Sequence, residues 1–191
     1  MDFNELCLGC RTYRRFKQKQ IPEKVLDELL ENARIANSAM NGQPLRYVLV
    51  KNPEAVRKIQ PCFHFAAALP KELGQPKEGE QPAAFIILCT EGPETPWTGI
   101  DIGIAVRTMN LNAYIHGVGS CIIGNVEFEK VKEILSVSET WNPRLALALG
   151  YPSHKSTIVE LPENGSIKYY LDEERQYYVP KRKRKDISII R

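Results

Sequence analysis

The chain has 191 residues, 43% of them hydrophobic and 26% charged, the proportions of one globular domain spanning 1-191 and not of a disordered or fibrous chain. No apolar run reaches the roughly 18 residues that cross a bilayer, and the N-terminus lacks the basic-then-apolar order of a secretion signal, so a cytoplasmic protein without a membrane partner is expected. The formal net charge is +3, yet without the run Lys181 to Lys185 the chain has 21 basic against 23 acidic residues, a net −2; so short a basic run on an acidic body is too small a footprint for nucleic acid.

In chain order, Pro22 and Glu23 open a helix whose Val25, Leu26, Leu29, Leu30, Ala33 and Ala36 share one face, ending near Asn37. Residues 46–50 (RYVLV) read as a buried strand, Pro53 and Glu54 start a short helix, and 63–69 is expected to be another. From 70 to 82 the composition turns to Pro, Gly, Glu, Lys and Gln, an exposed loop. Residues 83–90 (AAFIILCT) are apolar on both faces and make a central strand. After a second loop, 100–116 is a helix apolar on more than one side, stopped by Gly117. A glycine-flanked strand at 119–124, an amphipathic helix at 127–135 and a strand at 144–149 follow. Beyond Pro152 the chain is polar and rich in tyrosine, and 180–191 is a basic C-terminal extension. It ends in Ile187 to Ile190 (ISII), which is badly placed in water unless it adds to a sheet of its own or another subunit.

The five cysteines (Cys7, Cys10, Cys62, Cys89, Cys121) lack the spacing of a disulfide framework and are expected to be reduced. Cys7 and Cys10 form a C-x-x-C without a second pair, and His64, His116 and His154 are scattered, so no metal site is expected. No Ser-His-Asp or Cys-His arrangement is visible, so no catalytic side chain is assigned.

Three clusters carry the chemistry. Arg11, Thr12, Arg14 and Arg15 offer guanidinium forks and a hydroxyl suited to phosphate oxygens. The turn from Ser38 to Pro44 presents Asn41 and Gln43, whose carboxamides donate and accept toward a planar heterocycle or a polyol chain. The run 117–124 (GVGSCIIG) holds a G-x-G but no G-x-G-x-x-G, and it follows a helix where a dinucleotide-binding fingerprint follows a strand; its glycines permit close approach of a neighbouring element or a flat ligand.

Taken in order, these clusters resemble the FMN-dependent nitroreductase family. Residues 11–16 (RTYRRF) are similar to its R-S-x-R-x-F, 38–44 (SAMNGQP) to its S-x-x-N-x-Q-P, and Asp101 with the helix into 117–124 to its D-x-G-x-A and G-x-G-S-C-x-I-G; 148–152 (ALGYP) and the terminal Arg184-Lys185 complete the set. Cys10 stands where a basic residue is common in that family, Leu45 where tryptophan is frequent, and 70–98 matches none of its motifs.

The resemblance implies an α+β nitroreductase-like fold, a central mixed sheet flanked by helices with a C-terminal strand extending to the partner subunit. It also implies a homodimer with one FMN at each of two interface sites. NADH or NADPH would donate two electrons through FMN to a small electrophilic acceptor such as a nitroaromatic or a quinone; the alternative is a flavin- or small-ligand-binding module of the same fold without efficient turnover. Carried over by position, Arg11, Thr12, Arg14, Arg184 and Lys185 would hold the phosphate and ribityl chain. Asn41 and Gln43 would reach the flavin from the partner, Ser38 of the same motif would also bind the cofactor, and Ile123 and Gly124 would lie against its ring.

Overall fold

The computed structural model describes residues 2–191. It opens with α1 (Phe3–Gly9), β1 (Phe16–Lys17), α2 (Glu23–Ile35), β2 (Leu45–Val50), α3 (Pro53–Ile59) and the single turn α4 (Lys71–Gly74). Then come β3 (Ala84–Glu91), α5 (Thr98–Ile115), β4 (Gly119–Ile123), α6 (Phe128–Leu135) and β5 (Trp141–Pro152), and last β6 (Ser156–Glu160), β7 (Tyr170–Leu171) and β8 (Tyr177–Lys181). Local signals set several boundaries. Asp2 and Glu5 form a reciprocal capping box on α1, and Asn52 accepts from the Glu54 and Ala55 amides ahead of Pro53 in the first turn of α3.

β5 organises the main sheet because its twelve residues are long enough for three partners. Along one edge it pairs β3, which pairs β2; along the other it takes β4 and then β1, all antiparallel. The parallel component of this sheet is confined to a bridge between Thr12 and Ser120, whereas in the second, three-stranded sheet β6 runs parallel to β8 and β7 antiparallel to it.

Alternation along β3 divides the core. Phe85, Ile87 and Cys89 face α3 and α6 with Ile59, Phe63 and Val131, while Ala84, Ile86 and Leu88 face α2 and α5 with Leu26, Leu29, Ala105 and Met109. β4 follows the same rule. Cys121 and Ile123 enter the first layer, which turns Ser120 and Ile122 toward α5. Gly119 and Gly150 let the N-terminal segment close over the sheet: a Cβ on Gly119 would lie 2.7 Å from the Tyr13 ring, and one on Gly150 2.8 Å from Phe16.

Two expectations need correction and a third narrows to one of its alternatives. Residues 63–69 are not helical: Phe63 and Phe65 both enter the core at strand-like spacing, Phe63 bridges Val126, and Ala66 turns the backbone at a φ of 51°. Pro180 and Lys181 belong to β8, so the extension proper begins after them. Ile187 to Ile190 form no strand within the single chain and lie exposed.

Candidate functional site

Two of the clefts that border α5 hold residues singled out in the sequence, Arg11 and Thr12 in one and Ser38 and Gln43 in the other. The smaller, about 180 Å³, lies where the chain leaves α1 and crosses β4 and is lined by Arg11, Thr12, Arg107, Asn110, Ser120 and Lys181, among others. The Tyr13 amide donates to the Ser120 carbonyl at 2.9 Å, which fixes Thr12 beside the strand. From α5, the buried Asn110 donates through Nδ2 to Ser120 Oγ, and its Oδ1 accepts from Arg107 Nη1 and, at 2.9 Å, from the Cys10 thiol. Burial raises the Cys10 thiol above its ordinary value despite the nearby Arg107 charge, so this sulfur is a neutral neighbour.

The charge in this cleft is uncompensated. Arg11 Nη2 donates to the Cys7 carbonyl at 2.7 Å, and Arg11 Nε is buried without a partner. Among the described residues no carboxylate pairs with Arg11, Arg107 or Lys181, whereas Lys183 reaches Glu160 at 3.5 Å.

Above the cleft, Ile122 is 45% exposed and Ile123 only 4%, and Ile123 pairs with Ala146 of β5, so its side chain is closed to a ligand. Gly124 is exposed, and a Cβ there would meet nothing nearer than Leu145 at 3.8 Å, an open face. Arg14 takes a different direction from Arg11. Its guanidinium carbon lies 4.6 Å from the Tyr169 ring centre and 4.9 Å from that of Tyr177, within cation–π range of both.

The larger cleft, about 390 Å³, holds Ser38, Gln43 and Pro44 against Asp101 near the start of α5. The Asp101 carboxylate, 4% exposed, accepts from the Ala39 amide at 2.9 Å, and Ser38 Oγ accepts from the Gln43 amide at 3.1 Å. These bonds hold Met40, Asn41 and Gln43 in the left-handed region, at φ of 52°, 55° and 46°, a costly conformation that leaves the Asn41 and Gln43 side chains facing out. Asp101 and Asn110 are nine residues apart on α5, roughly 14 Å along its axis, and the two clefts share no residue. One chain therefore does not bring Asn41 and Gln43 to Arg11 and Thr12. Arg184 and Lys185 sit in an exposed turn and line neither cleft.

Sequence reasoning passed over Arg107 and Asn110 and counted Lys181 only within the basic run. The signal available was an arginine and an asparagine three apart in a helix that also carries Asp101, Thr108 and Asn112, and a lysine closing a strand.

The sequence model of the nitroreductase family matches residues 9–151. The chain belongs to that family. Nitroreductase-family relatives include a Methanothermobacter thermautotrophicus protein named for NADH dehydrogenase/NAD(P)H nitroreductase activity, 28% identical over 160 residues that cover 80% of this chain and 78% of that protein. Another is the FMN reductase (NADPH) of Bacillus subtilis, 26% identical over 80% of this chain and 66% of that protein. In fold, the chain resembles a nitroreductase-family protein of Streptococcus pneumoniae with a TM-score of 0.68 at 19% identity, covering 85% of this chain and 97% of that one. Among the described residues no helix is long and apolar enough to cross a membrane.

Proposed function

We propose that two copies of the chain form the working unit of this FMN-dependent NAD(P)H oxidoreductase, which passes two electrons from NADH or NADPH to a small electrophilic acceptor such as a nitroaromatic or a quinone. The observation that carries the reading is the small cleft of unpaired cations beneath the open end of β4. A phosphate dianion needs several N–H or O–H donors and compensating positive charge, and Arg11, with its orphaned Nε, Thr12 and Lys181 offer both. Bound FMN supplies the two-electron chemistry at its ring.

The chain's own part is binding and orientation. Arg11, Thr12 and Lys181 hold the phosphate end, and the exposed Arg184 and Lys185 add positive charge just beyond β8. Arg14, steadied by Tyr169 and Tyr177, would meet the ribityl chain, and Ile123 and Gly124, at the open end of β4, would lie against the ring. Ser38, Asn41 and Gln43 serve the flavin of the partner chain, which accounts for their separation from Arg11 within one chain. The partner packs on the face of α5 that leaves Ile100 and Ile104 exposed, and the Ile187 to Ile190 segment pairs with a strand of that partner.

The test is an absorbance spectrum after loading with FMN and removing the excess. The expected result is about one flavin per chain, bleached by NADH or NADPH and recoloured by a quinone. A chain that takes up no FMN overturns the reading, and a bound flavin that neither nicotinamide bleaches favours the binding module without turnover.

A further inference from the structure

We propose that Arg107, a residue of α5, supplies the guanidinium that distinguishes a phosphorylated flavin from an unphosphorylated one, in the place left by the uncharged Cys10. This rests on the FMN reading above. At Cys10, where a basic residue is common in the family, this chain has a thiol that is 3% exposed and whose Sγ is 3.5 Å from Arg107 Nη1. The positive charge missing from the N-terminal segment is thus restored from the helix packed against it, one side chain away.

The guanidinium is pre-oriented. Nη1 is tied to Asn110 Oδ1, and Asn110 is tied in turn to Ser120 Oγ and to the Cys10 thiol. Among the described residues Nε and Nη2 have no protein acceptor, so one edge of the fork is anchored while the other is left for two oxygens of one anion. A half-buried arginine without a carboxylate is unfavourable until an anion joins it, and no acidic residue lines this cleft. Cys10 contributes by staying small and neutral: a second guanidinium in its position would crowd and repel Arg107. Asn110 is a positioning residue for Arg107.

The test titrates flavin-free protein with FMN and with riboflavin, following flavin fluorescence, for the wild type, Arg107→Gln and Arg107→Lys. Arg107→Gln is expected to weaken FMN about 10- to 100-fold, the worth of a charge-assisted contact, with riboflavin changed less than about twofold. Arg107→Lys is expected to keep the charge and recover part of the preference. An Arg107→Gln protein that keeps the wild-type ratio of FMN to riboflavin affinity overturns the assignment, and so does one that weakens both ligands equally, because that is the signature of a purely structural role. Should Arg107→Gln fail to fold, the same ratio in Arg107→Lys decides: a fall of at least about threefold supports the assignment and an unchanged ratio overturns it. A wild-type protein that binds neither flavin ends the FMN reading itself before any variant is compared, whereas one that binds both equally overturns the Arg107 assignment alone.

Discussion

His154 ties together the segment that carries the arginines. Its Nε2 accepts from the Arg14 amide at 2.9 Å and its Nδ1 faces the Lys155 carbonyl at 2.9 Å, so these partners assign a neutral ring with the proton on Nδ1. Burial, aided by the Arg15 and Arg14 charges, holds its pKa down at about 4. Released by unfolding, the ring titrates near 6.5, so the stabilisation it gives is complete above that pH and is lost as the pH falls toward 4, by about 3 kcal/mol at most. Urea unfolding at pH 7.5 and pH 5 is expected to show a shallower loss for His154→Asn than for the wild type; equal losses would refute the assignment. Thiol chemistry gives a second measurement at this scale. Burial pushes Cys89 and Cys121 up to about 11 and raises Cys10 and Cys62, so at pH 8 an aromatic disulfide reagent is expected to label about one thiol quickly, Cys7, and the rest only on unfolding. Asp101→Ala removes the acceptor for the Ala39 amide and is expected to cost about 1–3 kcal/mol in stability, read as a lowered urea midpoint. Arg11 and Thr12 were legible in the sequence because their partners in the motif are adjacent. Arg107 was not, because the groups that give it meaning, Cys10 and Ser120, lie 97 residues before it and 13 after it.

At the scale of elements, legibility followed the strength of the periodic signal. α2 shows its buried Leu26, Leu29 and Ala33 at helical spacing, and β3 its unbroken apolar run, so both were placed almost to the residue. β6, β7 and β8 went unrecognised because exposed and half-exposed side chains outnumber the buried ones, Tyr177 and Pro180, and their pairing is with one another across loops, which leaves no local alternation to find. The 63–69 segment misled for the opposite reason: its apolar content is high, but Pro61 and the left-handed Ala66 break the backbone. α5 is the instructive case. Its apolar residues surround the helix, which reads as full burial, yet Ile100, Ile104 and Ile115 are 52%, 38% and 56% exposed. Apolar positions on two faces mean two surfaces to cover, and the single chain covers one. Ile104→Glu is therefore expected to leave the fold intact and to shift a dimer to monomer in sedimentation velocity; an unchanged dimer would move the interface elsewhere.

For the molecule as a whole, the proposed division of the site between two clefts would make assembly a condition of binding. Deleting residues 187–191, whose Ile187, Ile189 and Ile190 are 68%, 82% and 82% exposed, is expected to raise the monomer fraction at low protein concentration and to speed flavin loss on dilution, measurable as fluorescence recovery; identical dissociation curves would show the tail to be inert. This level of organisation was legible only through the resemblance, since composition and periodicity say nothing of which surfaces meet. The uncompensated charge of Arg11, Arg107 and Lys181 reaches further, into the lifetime of the protein. Like charges held together destabilise the ligand-free fold, and an anion that binds only the folded form at 100 times its dissociation constant adds about 2.7 kcal/mol. Chains made while the vitamin supply is short would be more often unfolded and more quickly degraded, so the amount of this protein in a cell would follow its nutrition even at constant synthesis.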